Sequence, residues 1–203
     1  MPTSAPEIRK KLSPRLFSRG GLSCPHCQTS MGEALESCPR CGFRLDACSD
    51  VLGTHAPALD FLIDPGNILP ESANGQLAPI HQELQKKFPQ VSLSLCLIEL
   101  NPPFKVNELA FWLINVAPDS NADRAWKIVL VFDVAKNEAG LARGYRIEPF
   151  IKPTTWTELL TKTNAEAHRS DWTSALELLV NEAIPLLEDA KREATTRTKK
   201  ASK

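Results

Sequence analysis

No apolar run among the 203 residues approaches the ~20 that a membrane-spanning helix needs. The longest, within Val91–Leu100 and Trp126–Val134, are strand-sized, which excludes a helical membrane span as the plan of the chain. Basic residues near the start are followed by no apolar segment, so the sequence predicts no secretory signal and a cytoplasmic address. Common catalytic templates are missing too. There is no G-x-G-x-x-G, no glycine-rich G-K-[ST] loop, no H-E-x-x-H and no G-x-S-x-G. The C-x₅-R arrangement of thiol phosphatases is absent, because Cys96 is followed by Leu97–Pro102 without an arginine. No D-x-D-x-D-G loop offers a ready-made calcium site. With 42% hydrophobic and 24% charged residues, the chain has the composition of a soluble globular protein.

Net charge is lacking as well: 24 Lys and Arg balance 24 Asp and Glu. The balance conceals an asymmetry. Residues 1–23 hold five bases (Arg9, Lys10, Lys11, Arg15, Arg19) against Glu7. Residues 191–203 hold six bases against Glu193. The stretch between, 24–190, carries 13 bases and 22 acids. An acidic body with basic ends repels phosphate over most of its surface, so nucleic acid is an unfavourable partner.

What the chain does have is cysteine in a pattern. Four of six cysteines fall into Cys24-Pro-His-Cys27 and Cys38-Pro-Arg-Cys41, ten residues apart. Each C-x-x-C turn aims two thiolates at one point, and two turns complete a tetrahedral S₄ set suited to structural zinc. Gly42 fits such a turn, since positive φ lets backbone amides approach the sulfurs. Disulfides would need an oxidising compartment. A redox C-x-x-C would open a helix in a thioredoxin-like unit. A closed Cys₄ set leaves no open coordination position, so the metal is expected to be structural. A module of ~25 residues buries too little to fold alone, and metal binding would supply the missing free energy. His26, between two ligands, is expected to be an exposed loop residue. Cys48 is a less symmetric substitute ligand, and Cys96, in an apolar run, a buried free thiol. His55, His81 and His168 are scattered and suggest no catalytic pairing.

The remainder reads as one α/β unit. Leu77, Ile80, Leu84 and Phe88 recur at helical spacing and predict a helix over 72–88, ended by Pro89. Val91–Leu100 and Trp126–Val134 are apolar on both faces, as central strands are. Between them, Val106, Leu109, Ala110 and Leu113 stripe a helix over 104–116. Leu141–Phe150 follows a short link and predicts a hairpin partner. Thr155-Trp-Thr-Glu158 has capping-box spacing and predicts a helix start. Asp171–Ala190 predicts the last helix, buried through Leu176, Leu179, Val180, Ala183 and Leu187 and kinked at Pro185. The four tryptophans are expected to be packing residues. The resulting organisation is a basic arm (1–21), a zinc ribbon (22–46), a linker (47–60), a three-layer α/β/α sandwich (61–188) and a basic, disordered tail (189–203).

Several pieces in this order resemble the TPM domain family. They are Asp64…Leu69, the strand Ser92–Ile98, the Phe111-Trp112 helix, Ile128-Val-Leu-Val-Phe-Asp133 and Gly144-Tyr-Arg-Ile-Glu148. In the last, Arg146 stands where the family has a second glycine. The resemblance implies an α/β/α fold, divalent-cation binding, acid phosphatase activity in some members, and assembly or repair of membrane complexes in others. Acids at strand ends make Asp64, Asp133 and Glu148 the candidate ligands for Ca²⁺ or Mg²⁺. A turn cap and solvated loop charges are the plainer roles for the same three residues. Two functions follow: a non-enzymatic interaction or assembly factor with an unidentified protein partner, and, as the alternative, a cation-dependent phosphatase.

Overall fold

The computed structural model describes residues 22–27, 29–31, 36–44, 56–100, 104–118, 124–148 and 152–201. The cysteine-rich part begins with a two-residue antiparallel ladder between β1 (Leu22–Ser23) and β2 (Ser30–Met31). The larger part is a four-stranded sheet in the order β3-β4-β5-β6, formed by Leu62–Ile63, Ser92–Ile98, Lys127–Asp133 and Glu138–Arg143. The first three strands run parallel and β6 returns antiparallel. The β5–β6 link is tight, with Asn137 at a φ of 56°, which asparagine tolerates better than most residues. Among the described residues, four helices cover the sheet: α1 (Ala73–Lys87), α2 (Val106–Val116), α3 (Pro153–Arg169) and α4 (Trp172–Ala201).

Strand alternation splits the core in two. Leu93, Leu95, Leu97, Ile128, Leu130 and Phe132 face one way and pack with α1, α3 and α4. Cys96, Val129, Val131 and Ala142 face the other way, onto α2. The period-2 pattern of β4 and β5 therefore feeds two apolar layers, as both-face-apolar strands require. The three-layer α/β/α arrangement and all the predicted helix stripes are present. Trp112 and Trp156 are fully buried, while Trp126 and Trp172 pack at the edge of the larger core.

The differences from sequence expectation have local causes. The third predicted strand stops at Arg143 instead of continuing to Phe150. The Gly144 amide still bonds Lys127 O and Arg146 N bonds Ala125 O, both in the β5–β6 register, but the Ile147 and Glu148 amides turn back onto Gly144 O. The helix expected at Thr155 starts at Pro153, whose fixed φ and missing N–H suit a first helical position. The basic tail is helical as far as Ala201, not disordered from 189. Its Ala, Glu, Lys and Arg are strong helix formers, and Arg192 pairs with Asp189 one turn back at 3.4 Å. The short strand β3 was not predicted; two residues carry no periodicity. Residues 1–21, Cys48 and His55 lie outside the described residues.

Candidate metal centre

Cys24, Cys27, Cys38 and Cys41 bring their sulfurs within 4.8 Å of one another. Two edges of the cluster, Cys24–Cys41 and Cys27–Cys38, measure 3.6 Å. A disulfide would need about 2.05 Å, and all four thiols are free. A tetrahedron with Zn–S bonds of about 2.3 Å has edges of about 3.8 Å. The four sulfurs are thus close enough together to serve one such ion, with each short edge joining one turn to the other.

Local backbone bonding builds the two turns. Cys24 N donates to Thr29 O and Cys38 N to Phe43 O, each at 2.9 Å. Gly42 N returns to Cys38 O at 2.8 Å, with a Gly42 φ of 73°, the conformation anticipated for this glycine. Cys24 and Cys38 are buried, Cys27 half-buried and Cys41 exposed. The Thr29 hydroxyl and amide hold the Cys27 thiol down to about 6. Cys41 is pushed up to about 12: the Phe43 amide lowers it, but local loss of hydration and the three neighbouring sulfurs outweigh that. Four thiolates this close repel one another without a cation, and a divalent metal reverses that sign.

The cluster does not stand alone. The His26 Nδ1–H donates to Glu108 Oε1, a charge-assisted bond to a side chain only 5% exposed. The other carboxylate oxygen, Oε2, accepts from Lys105 N at 3.1 Å and so caps the start of α2. Lys105 Nζ donates to His26 O at 3.3 Å. Phe43 stacks near His26 and meets Phe111 edge-on, with centroids 6.5 and 6.2 Å apart. His26 is exposed as expected, yet it is also a bridge, which sequence reasoning missed along with Lys105, Glu108 and Phe43. The available signal was Glu108 itself, an acid in the first turn of an otherwise apolar helix.

The three acids proposed for a second cation each have internal partners. Asp64 accepts from Ile68 N at 2.9 Å and Leu69 N at 2.8 Å, closing its own turn. Asp133 Oδ1 accepts from Ala135 N and Lys136 N, and Lys136 Nζ lies 3.0 Å from Oδ2. Glu148 faces Arg143 at 3.8 Å. Among the described residues, the four cysteines are the only cluster of potential metal ligands. Burial and the Asp64 charge push the Cys96 thiol up to about 12, keeping it protonated and inert. A groove of about 450 Å³ at the β6 edge is lined by Asn107, Asn137, Leu141, Thr157, Thr161 and Asn164 among others, with no ionisable side chain.

No protein-family model and no curated protein matches the chain. Among solved structures, it is similar to the N-terminal domain of a protein from P. gingivalis. That likeness has 11% identity and a TM-score of 0.50, covering 64% of this chain and 83% of that one. The N-terminal domain of the cg2496 protein from Corynebacterium glutamicum gives 8% identity and a TM-score of 0.49, with 62% and 78% covered. The first likeness is one of α/β fold. No helix among the described residues is long and apolar enough to cross a membrane.

Proposed function

We propose that this protein is a non-enzymatic interaction or assembly factor, with a structural zinc ribbon joined to a TPM-like α/β/α domain. The observation that carries the reading is the closed S₄ set, whose 3.6 Å edges match a zinc tetrahedron and leave no position for substrate. Zinc would be held by Cys24, Cys27, Cys38 and Cys41, and would contribute folding free energy and a fixed shape to the 22–46 module. For the TPM-like reading of 61–188, support comes from the mixed sheet between helix layers and from the Asp64 turn closed on Leu69.

Elemental analysis of the purified chain tests the zinc reading. About one zinc per chain is expected, lost in Cys38→Ser. A metal-free protein, or a Cys24–Cys27 disulfide, would end it. A phosphatase assay with Mg²⁺ or Ca²⁺ tests the other half, with no turnover expected. Metal-dependent turnover that disappears in Asp133→Ala would replace the assembly-factor reading with the hydrolase.

A further inference from the structure

The first turn of α2 is held from three sides. Glu108 Oε2 caps it through Lys105 N. Gly140 of β6 lies against it so closely that a β-carbon there would sit 2.6 Å from the Val106 carbonyl carbon. Asn107 Oδ1 accepts from Leu141 N, the outward-facing amide of the sheet's edge strand, at 3.2 Å. The third side is the ribbon, through His26 on Glu108 Oε1 and Lys105 Nζ on His26 O. One buried carboxylate thus joins the helix start to a residue seated between two cysteines of the metal cluster. Asn107 also forms a wall of the groove at β6.

We infer that metal occupancy of the Cys₄ cluster controls the order of the first turn of α2, with His26–Glu108 as the clasp, and thereby sets the shape of the groove at the β6 edge. The inference rests on the metal-binding reading of the cysteines. With the metal in place, the turn Cys24–Cys27 has one shape, and His26 is presented to Glu108 at a fixed point. Without it, a module this small lacks the core to keep that shape. Glu108 then keeps its bond to Lys105 N but loses its external donor, while its side chain remains almost wholly buried. An under-satisfied buried carboxylate favours fraying of the turn that carries it. Fraying moves Asn107, which releases the Leu141 amide and opens one wall of the groove.

Hydrogen–deuterium exchange on the full chain reads this directly. The zinc-loaded protein is compared with chelator-stripped protein, and with His26→Ala and Glu108→Gln loaded with zinc. A charge-assisted hydrogen bond to a buried group suggests an increase of about ten- to a hundredfold in exchange on its loss. That rise is expected at the amides of Glu108, Leu109 and Leu141 in the stripped chain, and again in His26→Ala with zinc still bound. The amides of Ala175–Leu187 in α4 are expected to stay as protected as before. Glu108→Gln touches no cysteine, so it gives the same reading if His26→Ala sheds its metal. Exchange in the first turn of α2 that is unchanged by stripping, or by both substitutions, overturns the clasp. A chain that binds no metal fails the zinc reading instead, and the two failures are told apart by the zinc content measured on each sample.

Discussion

Gly140→Ala is the sharpest structural test of how α2 sits on the sheet. Gly140 pairs with Val131 in the β5–β6 ladder, so its backbone is fixed on one side. On the other side a new methyl would meet Val106 C at 2.6 Å, Val106 O at 2.7 Å and Asn107 N at 2.8 Å. All three are backbone atoms, and none can rotate away as the tip of a long side chain would. Relief to an ordinary contact of 3.4 Å requires α2 to withdraw by 0.8 Å. Overpacking of this kind costs about 1–3 kcal/mol. Loss of the Leu141–Asn107 hydrogen bond adds about 1 kcal/mol. Against this, replacing glycine restricts the unfolded chain and returns about 0.4–1 kcal/mol. The net is destabilisation by about 1–3.6 kcal/mol. For a chain of this size that lowers Tm by roughly 2–14 °C. Gly75→Ala is the control, since Gly75 lies within α1 with no neighbour inside 4 Å of its would-be methyl. There alanine should stabilise by about 0.5–1 kcal/mol through helix propensity. The same chemical change thus has opposite signs at two positions, read by thermal melts of the zinc-loaded protein. A Gly140→Ala chain melting at or above wild type would refute the close approach of α2 and β6.

Three further outcomes follow from the packing. Leu179→Ala removes a side chain wholly buried between α4 and the sheet and should cost about 2–5 kcal/mol, read from denaturant midpoints. Asp133→Asn keeps an acceptor for the Ala135 and Lys136 amides but abolishes the ion pair with Lys136, so it should cost less than Asp133→Ala in the same assay. His81 stacks on Phe61 at 3.9 Å, and burial lowers its pKa below the usual 6.5. Between its folded and unfolded pKa values the unfolded chain binds more protons, so this contribution is complete above pH 6.5 and is lost as pH falls through the folded value. The urea midpoint of wild type should therefore drop from pH 7.5 to pH 5.5 by more than that of His81→Phe.

The parts of the fold legible in the sequence are those whose burial is periodic. Leu77 and Leu84, or Leu176, Leu179, Val180 and Ala183, repeat because one helix face meets one sheet, and that geometry writes itself into spacing. The hairpin β5–β6 was legible for a similar reason, a short polar link between apolar runs. The end of β6 was not. Residues 144–148 keep strand-like composition, but the chain turns there because Ile147 N and Glu148 N bond back to Gly144 O instead of extending the ladder. That competition between ladder and turn depends on what lies across the sheet, which one-dimensional pattern does not carry.

The metal cluster and its clasp show the same division within a single site. Cys-x-x-C spacing is legible because a metal constrains residues close in sequence, and two pairs ten residues apart need only one chain reversal to meet. His26 and Glu108 are 82 residues apart, and neither neighbourhood names the other. What marks them is a cost. A glutamate 5% exposed in the first turn of an apolar helix must be satisfied. Its own capping bond uses one oxygen, and the second is met by a donor from outside the helix. An acid placed where burial is predicted therefore implies a partner before the partner is known. Here the donor comes from the module least able to fold alone, so the stability of α2 and that of the ribbon are linked. Glu108→Leu, which removes both the cap and the bridge while filling the same space, should leave the larger core intact. It should also raise proteolytic sensitivity around residues 24–44 in zinc-limited protein more than in zinc-saturated protein. Equal sensitivity in both would mean that the ribbon stands on its metal alone.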